Sequence, residues 1–224
     1  MANDLTIPES ILLLSLNDET GERKGAYIDY GLAGAALTEL VLQGRLAEVG
    51  DPPKKLAVVD TKPMGDGYVD ACLKVVTACS ESRNAREYVD ALAGKSELTH
   101  PLYERLAERG IISETKSKIL FFTRTTYPEA NPAPERELKQ RLRAVIAGSG
   151  PVDVRDGAII ALAYYSDILQ HNFERDLLKA HKPRIKAIAE GGMLPSSATK
   201  AAIEAVQAAV MIAAMIPIIV VAAT

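Results

Sequence analysis

The side chains most able to do chemistry in this sequence are cations, and they gather in two stretches. Arg136, Lys139, Arg141 and Arg143 crowd one, and Arg175, Lys179, Lys182, Arg184 and Lys186 crowd the other. Such clusters suit docking on an anionic membrane surface, where each well-placed cation is worth about 1 kcal/mol. Glu135, Glu137, Glu174 and Asp176 are interleaved with them, so the plainer reading of each stretch is a solvated helix face.

Other chemistries find less in the residues. His100, His171 and His181 are scattered and none pairs with Cys or a carboxylate at ligand spacing, so neither a metal centre nor a cofactor is expected. No glycine-rich loop follows a strand to cradle phosphate, and no nucleophile elbow occurs. Asp66 and Asp70 stand one helical turn apart, as a general acid and base could, but acidic residues also favour the positive end of a helix dipole. The expectation is a protein without catalytic activity. Cys72 and Cys79 share a helix face two turns apart, about 10 Å. That exceeds disulfide reach, so they read as buried thiols in a reducing compartment.

Composition bounds the rest. The 224 residues are 48% hydrophobic and 25% charged with a net charge of −3, which fits one globular domain over 1–224 and excludes a uniformly basic, nucleic-acid-binding surface. Aromatics make up only 5%, so the core must be aliphatic. The first residues have no basic start or long apolar run, which predicts a cytoplasmic protein.

The elements that must position these groups are mostly helices. Thr6 and Glu9 form a capping box ahead of the apolar run ILLLSL. A helix over about 29–43 is slim in its first half, where Gly31, Ala33, Gly34, Ala35 and Ala36 allow close approach. Further helices are expected from Gly67, over 83–92, from Pro101 to Gly110, from Glu135, over a continuous 154–178 and over 183–190. Between them, 45–49 with 54–60 and the apolar pair Ile111-Ile112 with 118–128 read as strands, with SETKSK as the intervening turn. The chain thus twice writes helix, glycine, strand, turn, strand, as an internal repeat or a recurring unit. Fold class is mainly α: one multi-helix domain with small β hairpins.

Helix followed by a two-stranded wing is also a DNA-binding pattern. Its candidate reading helix LYERLAERG balances two Arg with two Glu, too little excess charge for phosphate neutralisation. No nucleic-acid partner is expected.

The ordered segments ESILLLSLNDETG (9–21), GLAGAALTELVLQGRL (31–46), PMGDGYVDACL (63–73), LYERLAERGII (102–112), ILFFTRTTYP (119–128), KQRLRAVI (139–146) and SDILQHNF (166–173) together resemble the Golgi phosphoprotein 3 family. The resemblance implies a mainly helical domain around a central apolar C-terminal helix. It also implies a β hairpin able to mediate self-association, with Ile119, Leu120, Phe121 and Phe122 as the candidate residues. A peripheral membrane protein is implied too, since eukaryotic members bind phosphatidylinositol 4-phosphate and retain glycosyltransferases. The family's head-group pocket uses a Trp and three Arg; the aligned positions here are Lys24, Ala33, Ser96 and Thr99. Arg23 and Lys24 remain as candidate donors to a head group. No counterpart of the basic arm that precedes the domain in eukaryotic members is expected.

Residues 201–224 decide between an integral and a peripheral protein. The last 18 residues carry no charge, at the lower edge of the roughly 20 needed to span a bilayer. Six of them are Ala and one is Pro217, with no basic residue beyond. They read as a buried core helix rather than a membrane anchor. The function expected is docking on an anionic lipid head group, or a short protein tail, at the membrane's cytoplasmic face. The alternatives are a soluble self-associating scaffold and, last, winged-helix DNA binding. The protein partner and the oligomer size are unknown from sequence.

Overall fold

Thr6 opens the first helix as the capping box requires: its Oγ1 accepts from the Glu9 N–H at 3.3 Å while a Glu9 carboxylate oxygen accepts from the Thr6 N–H at 2.7 Å. In the computed structural model, which describes residues 5–50, 55–119 and 122–193, α1 runs Ile7–Ser15 and all nine of its residues are buried. Such a helix can only stand in the middle. Its neighbours are α2 (Ile28–Leu42), α5, α6 and α7 (below). Ser10 and Ser15 satisfy their buried hydroxyls within the helix, on the Thr6 and Leu12 carbonyls.

After α2 the chain forms the hairpin β1 (Leu46–Val49) and β2 (Lys55–Val58), then α3 (Gly67–Thr77), α4 (Ala85–Ala93) and a 3-10 turn over Ser96–Thr99. The helix α5 (His100–Glu108) leads into the hairpin β3 (Thr115–Ile119) and β4 (Phe122–Thr126). The chain closes with α6 (Ala133–Ala147), α7 (Val154–Tyr165), α8 (Leu169–Asn172), α9 (Arg175–Ala180) and α10 (Lys182–Ala189). Each two-stranded sheet is antiparallel. The mainly helical class with small hairpins is therefore as the sequence indicates. The core is aliphatic, built from Ile and Leu of α1, α2, α5, α6 and α7.

Two readings are corrected. The pattern over 154–178 is three helices, because α7 stops at Tyr165. Asp167 takes the left-handed conformation (φ 61°), and the Ile168 N–H returns to the Ala163 carbonyl at 2.8 Å. That position normally takes Gly or Asn, so an Asp there left no visible stop. In the second hairpin, the polar run expected to turn is itself the first strand: Thr115 pairs with Thr126 and Ile119 with Phe122. Residues 115–118 are all exposed, so the strand has no apolar face to show in its periodicity. Ile111 and Ile112 are instead buried anchor points beside the hairpin base, with the Ile111 carbonyl accepting from Ala130 and Asn131.

The twice-written unit holds at the helix ends. Gly44 and Gly110 have φ of 67° and 66°. The following residues, Arg45 and Ile111, donate back to the Leu40 and Leu106 carbonyls at 2.8 and 2.9 Å, the Schellman closure. The expected core helix at 201–224 lies outside the described residues.

Candidate functional site

The loop after α1 is built to hold one cation in place. Asn17 Oδ1 accepts from the Glu19 and Thr20 N–H groups, and Gly21 turns the chain at φ 66°. The chain then returns against α1's end: Arg23 bridges Leu16, and the Lys24 N–H donates to the Ser15 carbonyl. A Cβ on Gly21 would lie 2.2 Å from the Tyr127 carbonyl carbon, so only glycine lets this loop meet the base of the second hairpin.

Around Arg23 lies an open depression of about 560 Å³, lined by Gly21, Arg23, Ser96, Thr99, Tyr103 and Arg124 among others. Two of the four family-pocket positions, Ser96 and Thr99, therefore do converge with the loop that carries Arg23. Ala33 does not: it is buried in α2 at 1% exposure. Lys24 points to Asp18, Nζ to Oδ1 at 3.7 Å, and does not line the depression.

Arg23 is already engaged. Its Nε donates to the Tyr103 hydroxyl at 2.7 Å, one terminal nitrogen to Asp29 at 2.6 Å and the other to Thr99 Oγ1 at 3.3 Å. Its guanidinium carbon sits 5.6 Å from the Tyr103 ring centroid, and that ring stacks on Tyr127 at 4.2 Å. Burial disfavours the charged guanidinium, but Tyr103 and Asp29 outweigh it and the pKa is raised. Burial likewise raises Tyr103 against the opposing pull of Arg23. Arg124 pairs with Glu22, and His100 stands 3.3 Å from Glu104. The depression thus holds two arginines, each with a carboxylate partner. Tyr103, Tyr127 and Arg124 were not foreseen. Nothing in their spacing marks them, since α5 and a hairpin bring them to the loop from far along the chain.

The basic face on α6 is largely neutralised. Lys139 pairs with Glu135 at 2.5 Å, Arg141 with Asp156 at 2.8 Å, and Arg143 with Glu174, while Arg136 is exposed. The arginines of the candidate DNA-reading helix point inward. Arg105 and Arg109 meet the buried Glu9 at 3.1 and 2.9 Å, and Arg105 also meets Asp66 at 3.0 Å. Asp66 caps α3 through the Tyr68 and Val69 N–H groups, and Asp70 accepts from Met64 and Gly65. Both carboxylates have structural work here. Cys72 is fully buried, with its thiol pushed up to about 12 by burial, which suppresses the thiolate.

Asp18, Glu129 and Glu135 bring carboxylate oxygens within 4.8 Å of one another. Lys139 already supplies a positive charge there. Of the oligomerisation candidates, Leu120 and Phe121 lie outside the described residues. Ile119 and Phe122 are register partners across the hairpin. Among the described residues, no helix is long and apolar enough to cross a membrane.

Comparison of the sequence with known proteins places the chain in a family. The vacuolar protein sorting-associated protein 74 of Schizosaccharomyces pombe is 26% identical over 163 residues, which is 63% of this chain and 48% of that protein. The chain thus spans about half the length of this curated relative. The family model described as Golgi phosphoprotein 3 matches residues 7–212. With nearly the whole sequence covered, the chain belongs to the Golgi phosphoprotein 3 family.

Proposed function

We propose that this protein is a non-catalytic, peripheral membrane-associated binding protein that docks on anionic lipid head groups through the depression around Arg23. The observation that carries this reading is the convergence of residues 21–23 with Ser96, Thr99 and Arg124 on one open concavity. An incoming phosphate would exchange with Glu22 on Arg124, an exposed pair whose side chains are about half accessible. Exposed pairs of this kind are worth roughly 0–1 kcal/mol, so the exchange is cheap. Arg23 is held more firmly and serves as a fixed electrostatic post beside the stacked Tyr103–Tyr127 pair. Charge-assisted donors are what a phosphorylated inositol requires. With two arginines where the resembling pocket has three and a Trp, phosphatidylinositol 4-phosphate is one candidate among anionic lipids.

The test is flotation with liposomes of neutral lipid alone, with phosphatidylserine, and with phosphatidylinositol 4-phosphate. Salt-sensitive flotation with either anionic lipid, lost in Arg124→Glu, is expected. No flotation with any anionic liposome at low salt overturns the reading.

A second reading, self-association through the 113–128 hairpin without lipid binding, is favoured by β3 and β4 packing, among the described elements, chiefly on each other. It is the outcome left standing if flotation fails and the protein still forms oligomers.

A further inference from the structure

The second basic stretch of the sequence is divided by the fold, and three of its cations remain unclaimed. Arg184 donates to the Val145 and Gly150 carbonyls, and Lys186 pairs with Glu190 at 3.6 Å. Among the described residues, no carboxylate lies within ion-pair distance of Arg175, Lys179 or Lys182, in contrast to Arg143 beside Glu174. All three line one groove of about 670 Å³, which shares no lining residue with the Arg23 depression. Its apolar lining is Leu169, Phe173, Leu178 and Ile185. One wall is α9, a helix with no fully buried residue although it carries Leu177 and Leu178 side by side. One carboxylate, Asp167, lines the groove with them.

We infer that this groove binds a free anionic single-chain amphiphile, a fatty-acid carboxylate. The head group would be held by Arg175, Lys179 and Lys182, with the chain over Leu169, Phe173, Leu178 and Ile185. The size lies within the roughly 300–1,000 Å³ range of small-molecule sites, and an apolar lining with a few convergent polar groups is their usual make-up. A docked partner helix fits less well. Its anchors at i, i+4 and i+7 need about 10 Å of groove, and the six residues of α9 supply about 9 Å. The chain's own residues 194–224 match the charge poorly, since they hold one acidic residue, Glu204, and one basic residue, Lys200. They also leave from the far end of α7. The Met193 carbonyl accepts from the Val152 N–H just ahead of α7, and Tyr164 at the groove lies ten residues, about 15 Å, along that helix from Val154.

The test is calorimetric titration of the full chain with dodecanoate, dodecyl maltoside, dodecyltrimethylammonium and acetate below micelle formation. Saturable one-to-one binding of dodecanoate is expected, with acetate and the two other amphiphiles weaker by at least about tenfold. Lys179→Glu and Arg175→Glu should each weaken dodecanoate about tenfold while leaving the unfolding midpoint in place. Arg124→Glu should leave dodecanoate binding intact, which separates this site from the lipid-docking depression. Equal binding of the maltoside, or no effect of either groove variant, overturns the inference. So does a photo-crosslinker at position 179 that captures residues 194–224, or capture of position 179 by anionic liposomes alone with no dodecanoate binding.

Discussion

Glu135 is 3% exposed in the first turn of α6, and burial pushes its carboxyl up to about 7. Lys139 opposes the shift, while Asp18 and Glu129 add to it. The unfolded value is near 4.5, so between about 4.5 and 7 the folded state holds the proton more tightly. Stability from this group is therefore fully present below 4.5 and is lost as pH rises through 7, by at most about 3 kcal/mol. Glu135→Gln should flatten that decline and raise the urea midpoint at pH 8, and a steeper decline in the variant would refute the assignment. Ser166 offers a second residue-scale case. It is fully buried and its Oγ has no hydrogen-bond partner among the described residues. Leaving a buried hydroxyl unpaired costs about 1–3 kcal/mol, so Ser166→Ala is expected to stabilise the fold by about 1 kcal/mol in chemical denaturation. A loss of similar size would mean that the hydroxyl has a partner. Neither group could be singled out from sequence, because both owe their state to neighbours distant along the chain. Arg23 differs: it was picked as a donor, and the fold shows that the same cation is bound internally by Asp29, Tyr103 and Thr99.

At the scale of elements, what could be read in the sequence were features written in local chemistry. The Thr6–Glu9 box, the acidic start of α3 at Asp66 and the glycine closures of α2 and α5 are determined within a few residues. The slim first half of α2 also has the use expected of it. A Cβ on Gly31 would lie 2.3 Å from Ser166 Oγ, so the end of α7 rests directly on that glycine. What sequence could not show was Asp167 in a left-handed conformation and a solvent-faced strand, since neither leaves an apolar period. Gly31→Ala should cost about 1–3 kcal/mol by overpacking. Pairing it with Ser166→Gly should recover part of the loss, because the clash is with that side chain. Simple additivity of the two changes in a double-mutant cycle would show that the contact is not the cause. Gly21→Ala should be worse and without such rescue, since its clash is with the Tyr127–Pro128 backbone at a positive φ. It would also disturb the Arg23 loop, lowering both the unfolding midpoint and liposome flotation.

Across the whole molecule, charge is drawn inward. Glu9 gathers Arg105 and Arg109. Glu39, 3% exposed, takes both terminal nitrogens of Arg155 while accepting from the Ile7 N–H. These pairs tie α1, α2, α5 and α7 together and leave less free cation at the surface than the sequence advertises. The hairpin of β3 and β4 is the exception to this cohesion. It is tied at its base by Ser113 to Pro128 and by Arg124 to Glu22, yet Thr115 to Lys118, Thr123 and Arg124 are exposed. An isolated two-stranded hairpin is marginal in water, and its open edges offer backbone groups to another strand. A second copy of the chain would satisfy both. Light scattering on the full chain should show a mass that rises above the monomer with concentration. Replacing residues 116–125 by an Asn-Gly turn should abolish the rise while shifting stability by only about 0.5 kcal/mol, the usual size for exposed positions such as Lys116 to Lys118, Thr123 and Arg124. A strict monomer at high concentration would remove self-association. An oligomer that survives the trimmed hairpin would move the interface elsewhere.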